Sequence, residues 1–146
     1  NIEYKINKSN VKIYEQKYSG KNFYVSHPYP GLSTDLIPCL VSLFSAGRGM
    51  AFIEDKVYHS RKKYLEELKK LNANINVIDE LIVVLGNENI VGNTVEAVDL
   101  RGGMAAVLLG IKAKGKTVIE NKEIIERGYE NILEKFIKIG VDIYEE

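Results

Sequence analysis

The chain repeats itself. The segments "TDLIPCLVSLFSAGRGMAFIEDKVYHSRKKYLEELKKLNANINVID" and "VDLRGGMAAVLLGIKAKGKTVIENKEIIERGYENILEKFIKIGVDIYE" keep the same landmarks in the same order. Asp35-Leu36 returns as Asp99-Leu100, and Ile53-Glu54 returns as Ile119-Glu120. Seven residues beyond each glutamate stands an arginine, Arg61 and then Arg127. An amphipathic run and a strand-like stretch follow each arginine. A duplicated unit has to fold the same way twice and stack against its twin, so the repeat limits the architecture more than any single motif does.

Each copy reads as strand, helix, strand, helix, strand. In the second copy "NTVEAV" alternates in the manner of a half-buried strand. Asp99 stands where an N-cap belongs, ahead of a helix from about Leu100 to Ala113. "KTVIEN" returns as a strand, and "RGYENILEKFIKIG" is expected as one amphipathic helix. That helix carries Ile132, Phe136 and Ile139 on one face and stops at Gly140. "NVIDELIVVL" predicts a tight hairpin between the copies. Strands alternating with helices imply an α/β fold with crossover connections and parallel pairing. The opening "IEYKINKSNVKIYEQKYSG" resembles "NINVIDELIVVLGNENIVG", which closes the first copy. Residues 1–26 are therefore expected to be closing strands of a preceding repeat, with repeat one at 27–92 and repeat two at 93–146. With no initiator methionine, this points to a fragment of a longer protein, a single partial domain.

At 146 residues the chain is long enough to bury a core. Its 20 basic residues balance its 20 acidic ones, so no bulk field favours nucleic acid or an anionic membrane, and any anion site must be local. One cysteine, Cys39, excludes an internal disulfide, and no clustered Cys/His pattern suggests a metal. The longest apolar run, around Leu36 to Ala46, is too short to span a bilayer and carries Pro38. The expectation is a cytoplasmic protein with no nucleic-acid or membrane partner.

The polar residues worth weighing sit at helix mouths. A helix N-terminus presents unpaired N–H groups and the positive end of its dipole. Arg101 lies in the first turn of its helix, with Gly102 and Gly103 expected to let a ligand approach the backbone. Arg127 is expected at or just before the next helix, again followed by glycine, and Arg61 occupies the matching place in the first copy. Arginine forks suit bidentate binding of carboxylate or phosphate. Two readings of these arginines stay open. They converge on an anion, or Arg101 pairs internally with Asp99 or a neighbouring carboxylate while the other two are solvated. Before Asp35 the first copy inserts "HPYPG", a stiff connection that would deliver a carboxylate to the mouth of an apolar helix. Such a carboxylate suits a general base or a hydroxyl-binding acid, and it equally suits a helix cap. Cys39 has no nearby His or Lys and reads as a buried structural thiol, and His27 and His59 have no ligand spacing.

Four stretches together carry a family resemblance: "YPGLSTDLIPCL", "IEDKVYHSRKKYLEELKKLNANI", "VDLRGGMAAVLLGIKAKGKT" and "ERGYENILEKFIKIGVDI". They resemble the C-terminal part of the UDP-N-acetylglucosamine enolpyruvyl transferases (UDP-N-acetylglucosamine 1-carboxyvinyltransferases) of bacterial peptidoglycan synthesis. The enolpyruvylshikimate phosphate synthases share that fold, but "DLRGG" with "IERGYENI" matches the sugar-nucleotide enzymes better. The resemblance implies an inside-out α/β barrel built from repeated strand–helix units around buried helices. It implies that Asp35 contacts the sugar nucleotide and serves as general base on its 3-hydroxyl, and that Val57 lines the UDP-sugar site. It implies that Arg101 and Arg127 hold the anionic groups of phosphoenolpyruvate, and that Arg61 is a further active-site arginine. The implied reaction transfers the enolpyruvyl group of phosphoenolpyruvate to UDP-N-acetylglucosamine and releases phosphate, with neither metal nor organic cofactor. The family's flexible loop with its cysteine, and its N-terminal lysine–asparagine pair, have no counterpart here. The chain alone is therefore expected to be inactive without the missing N-terminal part of the enzyme. The alternatives are a stand-alone, non-catalytic module that binds a sugar nucleotide or another anion, and a relative of the shikimate-pathway enzyme.

Overall fold

A computed structural model describes residues 4–14 and 21–145. Strands β1 (Tyr4–Ile6) and β2 (Val11–Ile13) form an antiparallel ribbon. The first unit then begins with β3 (Lys21–Ser26), a 3-10 turn (Thr34–Leu36), helix α1 (Ile37–Ser45) and β4 (Met50–Asp55). It continues with helix α2 (Lys63–Lys70) and the hairpin of β5 (Asn74–Ile78) and β6 (Leu81–Leu85). The second unit holds β7 (Thr94–Glu96), α3 (Leu100–Lys112), β8 (Val118–Glu120), α4 (Lys122–Glu126) and α5 (Ile132–Lys138).

The duplication survives in three dimensions. Strand β3 pairs parallel with β4 across α1, and β7 pairs parallel with β8 across α3. In the first unit the hairpin extends the sheet to the order β3-β4-β6-β5, and its two-residue connection puts Asp79 at φ 55°. The expected α/β architecture and the hairpin between the copies are both present.

Three elements differ from the sequence reading. Strand β3, expected within the closing strands of residues 1–26, instead opens the first unit by pairing parallel with β4, as β7 pairs with β8 in the second. The single amphipathic helix over "RGYENILEKFIKIG" is interrupted, because Gly128 packs flat on Leu100 and Asn131 adopts a left-handed φ of 51°. A helix therefore ends at Glu126 and another starts at Ile132. The closing "VDIYE" is not a strand, since no neighbouring strand among the described residues offers its backbone groups partners.

One core serves both units. Ile37, Val41 and Phe44 of α1, Ile53 of β4, Leu65 and Leu68 of α2, and Ala105, Ala106 and Leu109 of α3 belong to one buried cluster. A smaller cluster joins Met104 and Val107 to Ile125, with Ile132 and Phe136 packed against it. Helix α3 is thus covered on two sides, as its nearly unbroken apolar sequence demands. Small residues let α1 and α3 approach closely, and Ser42 Oγ donates a 2.6 Å hydrogen bond to the carbonyl of Ala105 between them. Burial does most of the work here. That bond is worth about 1 kcal/mol net, against about 1.5–3 kcal/mol for each large apolar side chain taken from water.

Gly102 and Gly103 turn inward, not toward a ligand. A Cβ on Gly102 would stand 2.5 Å from Cβ of Tyr64, and one on Gly103 would stand 2.7 Å from Ile125. Both glycines are therefore packing devices that let α2 and α4 close on α3. Alanine at 102 would gain about 1 kcal/mol of helix propensity. The clash falls on a Cβ that cannot rotate away, so it costs about 1–3 kcal/mol. Gly102→Ala should therefore be less stable than the parent in urea unfolding, and equal or greater stability would contradict this packing.

Candidate functional site

The first copy ends its parallel strand on a carboxylate. Along β4 the residues alternate, with Ala51, Ile53 and Asp55 on the inward face, so Asp55 occupies a core position at the strand's end. A buried carboxylate needs partners, and this one accepts four hydrogen bonds. Ser26 Oγ donates to Oδ1 at 2.6 Å and Thr34 Oγ1 donates to Oδ2 at 2.5 Å. The N–H groups of Val57 and Tyr58 donate to Oδ1 at 3.1 and 3.0 Å. Ser26 Oγ in turn accepts from the N–H of Lys56. Burial raises the pKa of Asp55, but the hydrogen bonds from Ser26, Thr34, Tyr58 and Val57 outweigh it and leave it below the ordinary value. This network ties the turn at Thr34 to the loop leading to Arg61. Sequence reading passed over Asp55 and Ser26, although the alternation of "AFIED" carries the signal.

Asp35 follows Thr34 and stands between two arginines. Arg101 Nη2 donates to its Oδ2 at 2.8 Å, and Arg61 Nη1 reaches its Oδ1 at 3.3 Å. Arg61 also approaches the carbonyl of Thr34 at 3.4 Å and lies over the Tyr58 ring, 4.6 Å from its centroid. The Arg101 guanidinium lies 5.8 Å from the centroid of Tyr129. The hydrogen bond from Arg101 is the largest influence on Asp35; with the charge of Arg101 and the contacts to Arg61 it outweighs desolvation and holds the carboxyl below its usual range.

The two equivalent aspartates have taken different partners. Asp99 caps α3, its Oδ1 accepting from the N–H groups of Arg101 and Gly102 at 2.9 Å each. Asp35 caps nothing. The 3-10 turn is capped by Ser33, and α1 has no side-chain cap. Of the two open readings of Arg101, internal pairing holds, but with Asp35 of the other unit and not with Asp99.

These groups line a cleft of about 570 Å³. Asp35, Tyr58, Ser60, Arg61 and Lys63 come from the first unit, and Val98, Asp99, Leu100 and Arg101 from the second. The Asp35 side chain keeps 44% of its surface exposed, so a ligand can reach it. Three cationic side chains face two carboxylates, and Asp99 is turned onto backbone N–H groups, so the cleft favours an anion.

Asp35, Arg61 and Arg101 are therefore brought together. Val57 is exposed beside Tyr58, with its backbone held by Asp55, and does not line the cleft. Arg127 stands exposed at the C-terminal end of α4, not at a helix start, and also lies outside the cleft lining. Cys39 is half-buried, and burial raises its thiol pKa, so it is protonated at neutral pH.

Residues 1–136 match the family model described as EPSP synthase (3-phosphoshikimate 1-carboxyvinyltransferase). A UDP-N-acetylglucosamine 1-carboxyvinyltransferase 2 of Caldanaerobacter subterraneus is 42% identical over 119 residues, which is 82% of this chain and 28% of that protein. Its namesake in Lactococcus lactis is 37% identical over 94% of this chain and 33% of its own length. The chain thus spans about a third of the length of these curated relatives. Among solved structures, the enolpyruvyl transferase NikO of Streptomyces tendae superposes with a TM-score of 0.87 at 23% identity, over 98% of this chain and 33% of that one. EPSP synthase of Acinetobacter baumannii gives 0.63 at 16% identity, over 99% of this chain and 34% of that one.

The lowered pKa values of Asp35 and Asp55 set a sign for pH. An acid whose folded value lies below its unfolded value stabilises the fold above the unfolded value and loses that contribution as pH falls through the folded one. Stability from these two groups should be level above about pH 5 and decline below about pH 4. Arg101→Gln should raise the Asp35 titration midpoint, read from its carboxyl ¹³C resonance, toward the ordinary value. An unmoved midpoint would show that Arg101 does not hold that carboxylate in solution.

Proposed function

This chain belongs to the EPSP synthase (3-phosphoshikimate 1-carboxyvinyltransferase) family, and on that premise we propose that it supplies one side of an enolpyruvyl transferase site for UDP-N-acetylglucosamine in peptidoglycan synthesis. The observation that carries the reading is the Asp35 carboxylate held between Arg61 and Arg101 at an open, anion-favouring cleft. The names of the relatives at about 40% identity support the sugar nucleotide as acceptor. The family model's own description keeps a shikimate-type acceptor as the second reading.

The chemistry follows from the charges. In the free protein the arginines keep Asp35 ionised and weakly basic. Phosphoenolpyruvate brings phosphate and carboxylate groups that compete for the same guanidinium forks. As they draw Arg61 and Arg101 away, the carboxylate loses the contacts that depress its pKa and becomes a better proton acceptor. Asp35 then takes the proton of the sugar 3-hydroxyl as the hydroxyl oxygen bonds to C2 of phosphoenolpyruvate, and C3 takes a proton from a general acid supplied by the rest of the enzyme. Loss of a C3 proton with cleavage of the C2–O bond to phosphate then restores the double bond and releases phosphate. Val57, next to Tyr58, is proposed to meet the UDP-sugar. Arg127, two residues before the tyrosine that lies against Arg101, is proposed to reach the anionic end of phosphoenolpyruvate. No metal or organic cofactor is required.

We further propose that the chain works as part of a longer cytoplasmic enzyme and is inactive alone. Strands β1 and β2 are taken as the closing hairpin of a preceding unit. Their register puts Tyr4, Ile6, Val11 and Ile13 on one face, all exposed, as a hairpin lacking its helices would have them.

Titration of UDP-N-acetylglucosamine into the ¹⁵N-labelled chain tests this reading. Saturable shifts at Asp35, Val57 and Tyr58 are expected, and Asp35→Asn should weaken them at least several-fold. Shikimate 3-phosphate run in parallel separates the acceptors. A folded chain that shows no shift with the sugar nucleotide at millimolar concentration would contradict the proposal.

A further inference from the structure

The duplication supplies an internal control for the network around Asp55. Strand register fixes the equivalents. Ser26 lies opposite Asp55 in the β3–β4 ladder, and one step beyond Glu96↔Glu120 the matching pair in the second unit is Ala97 and Asn121. Thr34, which precedes Asp35, matches Val98, which precedes Asp99. The hydroxyl–carboxylate set Ser26, Thr34 and Asp55 is therefore replaced in the second unit by Ala97, Val98 and Asn121. Asn121 is left-handed, with φ 61°, and makes no side-chain capping bond. A strand–helix–strand unit of this kind thus forms without the network, so the network is not a requirement of the fold.

The two units differ in what the following aspartate does. Without the network, Asp99 caps its own helix through the N–H groups of Arg101 and Gly102. With it, Asp35 leaves α1 uncapped and faces arginines of both units, although only the second donor is lost, to Pro38 at the place of Gly102, and the Ile37 N–H remains. We propose that Asp55 is a positioning residue that, through Thr34 and Ser26, holds the turn so that Asp35 is presented to Arg61 and Arg101 instead of capping α1. The same carboxylate fixes the N–H groups of Val57 and Tyr58, so both walls of the first-unit side of the cleft are set from one buried point. That Asp35 so presented serves enolpyruvyl transfer rests on the function proposed above, while the presentation itself does not.

The test transplants the second unit's residues into the first, as Ser26→Ala/Thr34→Val/Asp55→Asn. In the parent, Arg101→Gln raises the Asp35 carboxyl midpoint in a ¹³C titration. In the triple variant the same substitution should leave the midpoint unmoved, because Asp35 is no longer held toward Arg101 and is free to turn to the Ile37 N–H. Thr34→Val alone should lose at least half of the coupling, and Thr34→Ser, which keeps the hydroxyl, should retain it. A purely structural role would lower stability in all these variants without altering the coupling. Folded variants with full coupling would overturn the proposal, and should the triple variant not fold, the Thr34→Val and Thr34→Ser pair decides. UDP-N-acetylglucosamine added to the same samples keeps the readings apart. A parent that fails to bind while the coupling behaves as stated counts against the function and not against the positioning.

Discussion

Asp35 is the point at which the two units meet in charge as well as in space. Arg61 comes from the loop before α2 of its own unit, and Arg101 from the first turn of α3 in the other. Neither arginine has another carboxylate within ion-pair reach among the described residues. Removing Asp35 would leave two guanidinium groups facing each other across the cleft. The geometry of the site therefore depends on where this carboxylate points, and that depends on the turn that carries it.

What holds the turn is a core position filled by an acid. An inward-facing residue at the end of β4 would ordinarily be apolar. Asp55 is tolerated there because four donors from three segments converge on it, which offsets the cost of burial. Closely packed helices α1 and α3 then bring the mouths of both units to one side. The duplicated units share the strand–helix–strand frame, yet Asp99 caps its helix while Asp35 pairs with Arg61 and Arg101.

Much of this was legible in the sequence, for identifiable reasons. The duplication, the α/β order, the cap at Asp99 and the hairpin at Asp79 depend on local rules and on strict spacing. Convergence of the arginines was expected because repeated crossover units point equivalent ends the same way; Arg61 and Arg101 do meet, at Asp35, while Arg127 lies outside the cleft. Other features depend on long-range packing that a linear pattern does not carry. Gly102 and Gly103 looked like openings for a ligand, yet they admit Tyr64 and Ile125. The break between α4 and α5 follows from Gly128 resting on Leu100, which periodicity cannot show. Arg127 keeps its repeat spacing but falls at the end of α4 and not at a helix start. Asp55 stands in step with Ala51 and Ile53 and not at a helix mouth, so its charge alone does not mark it as part of a site.

The division of labour between the duplicated aspartates is the central claim, and urea unfolding of Asp35→Ala and Asp99→Ala side by side tests it most directly. Loss of a helix cap costs about 1 kcal/mol, so Asp99→Ala should be clearly less stable than the parent. A half-exposed ion pair is worth little to the fold, so Asp35→Ala should cost much less. Equal losses, or a larger loss at Asp35, would mean that both aspartates hold the fold and that neither has been released to face a ligand.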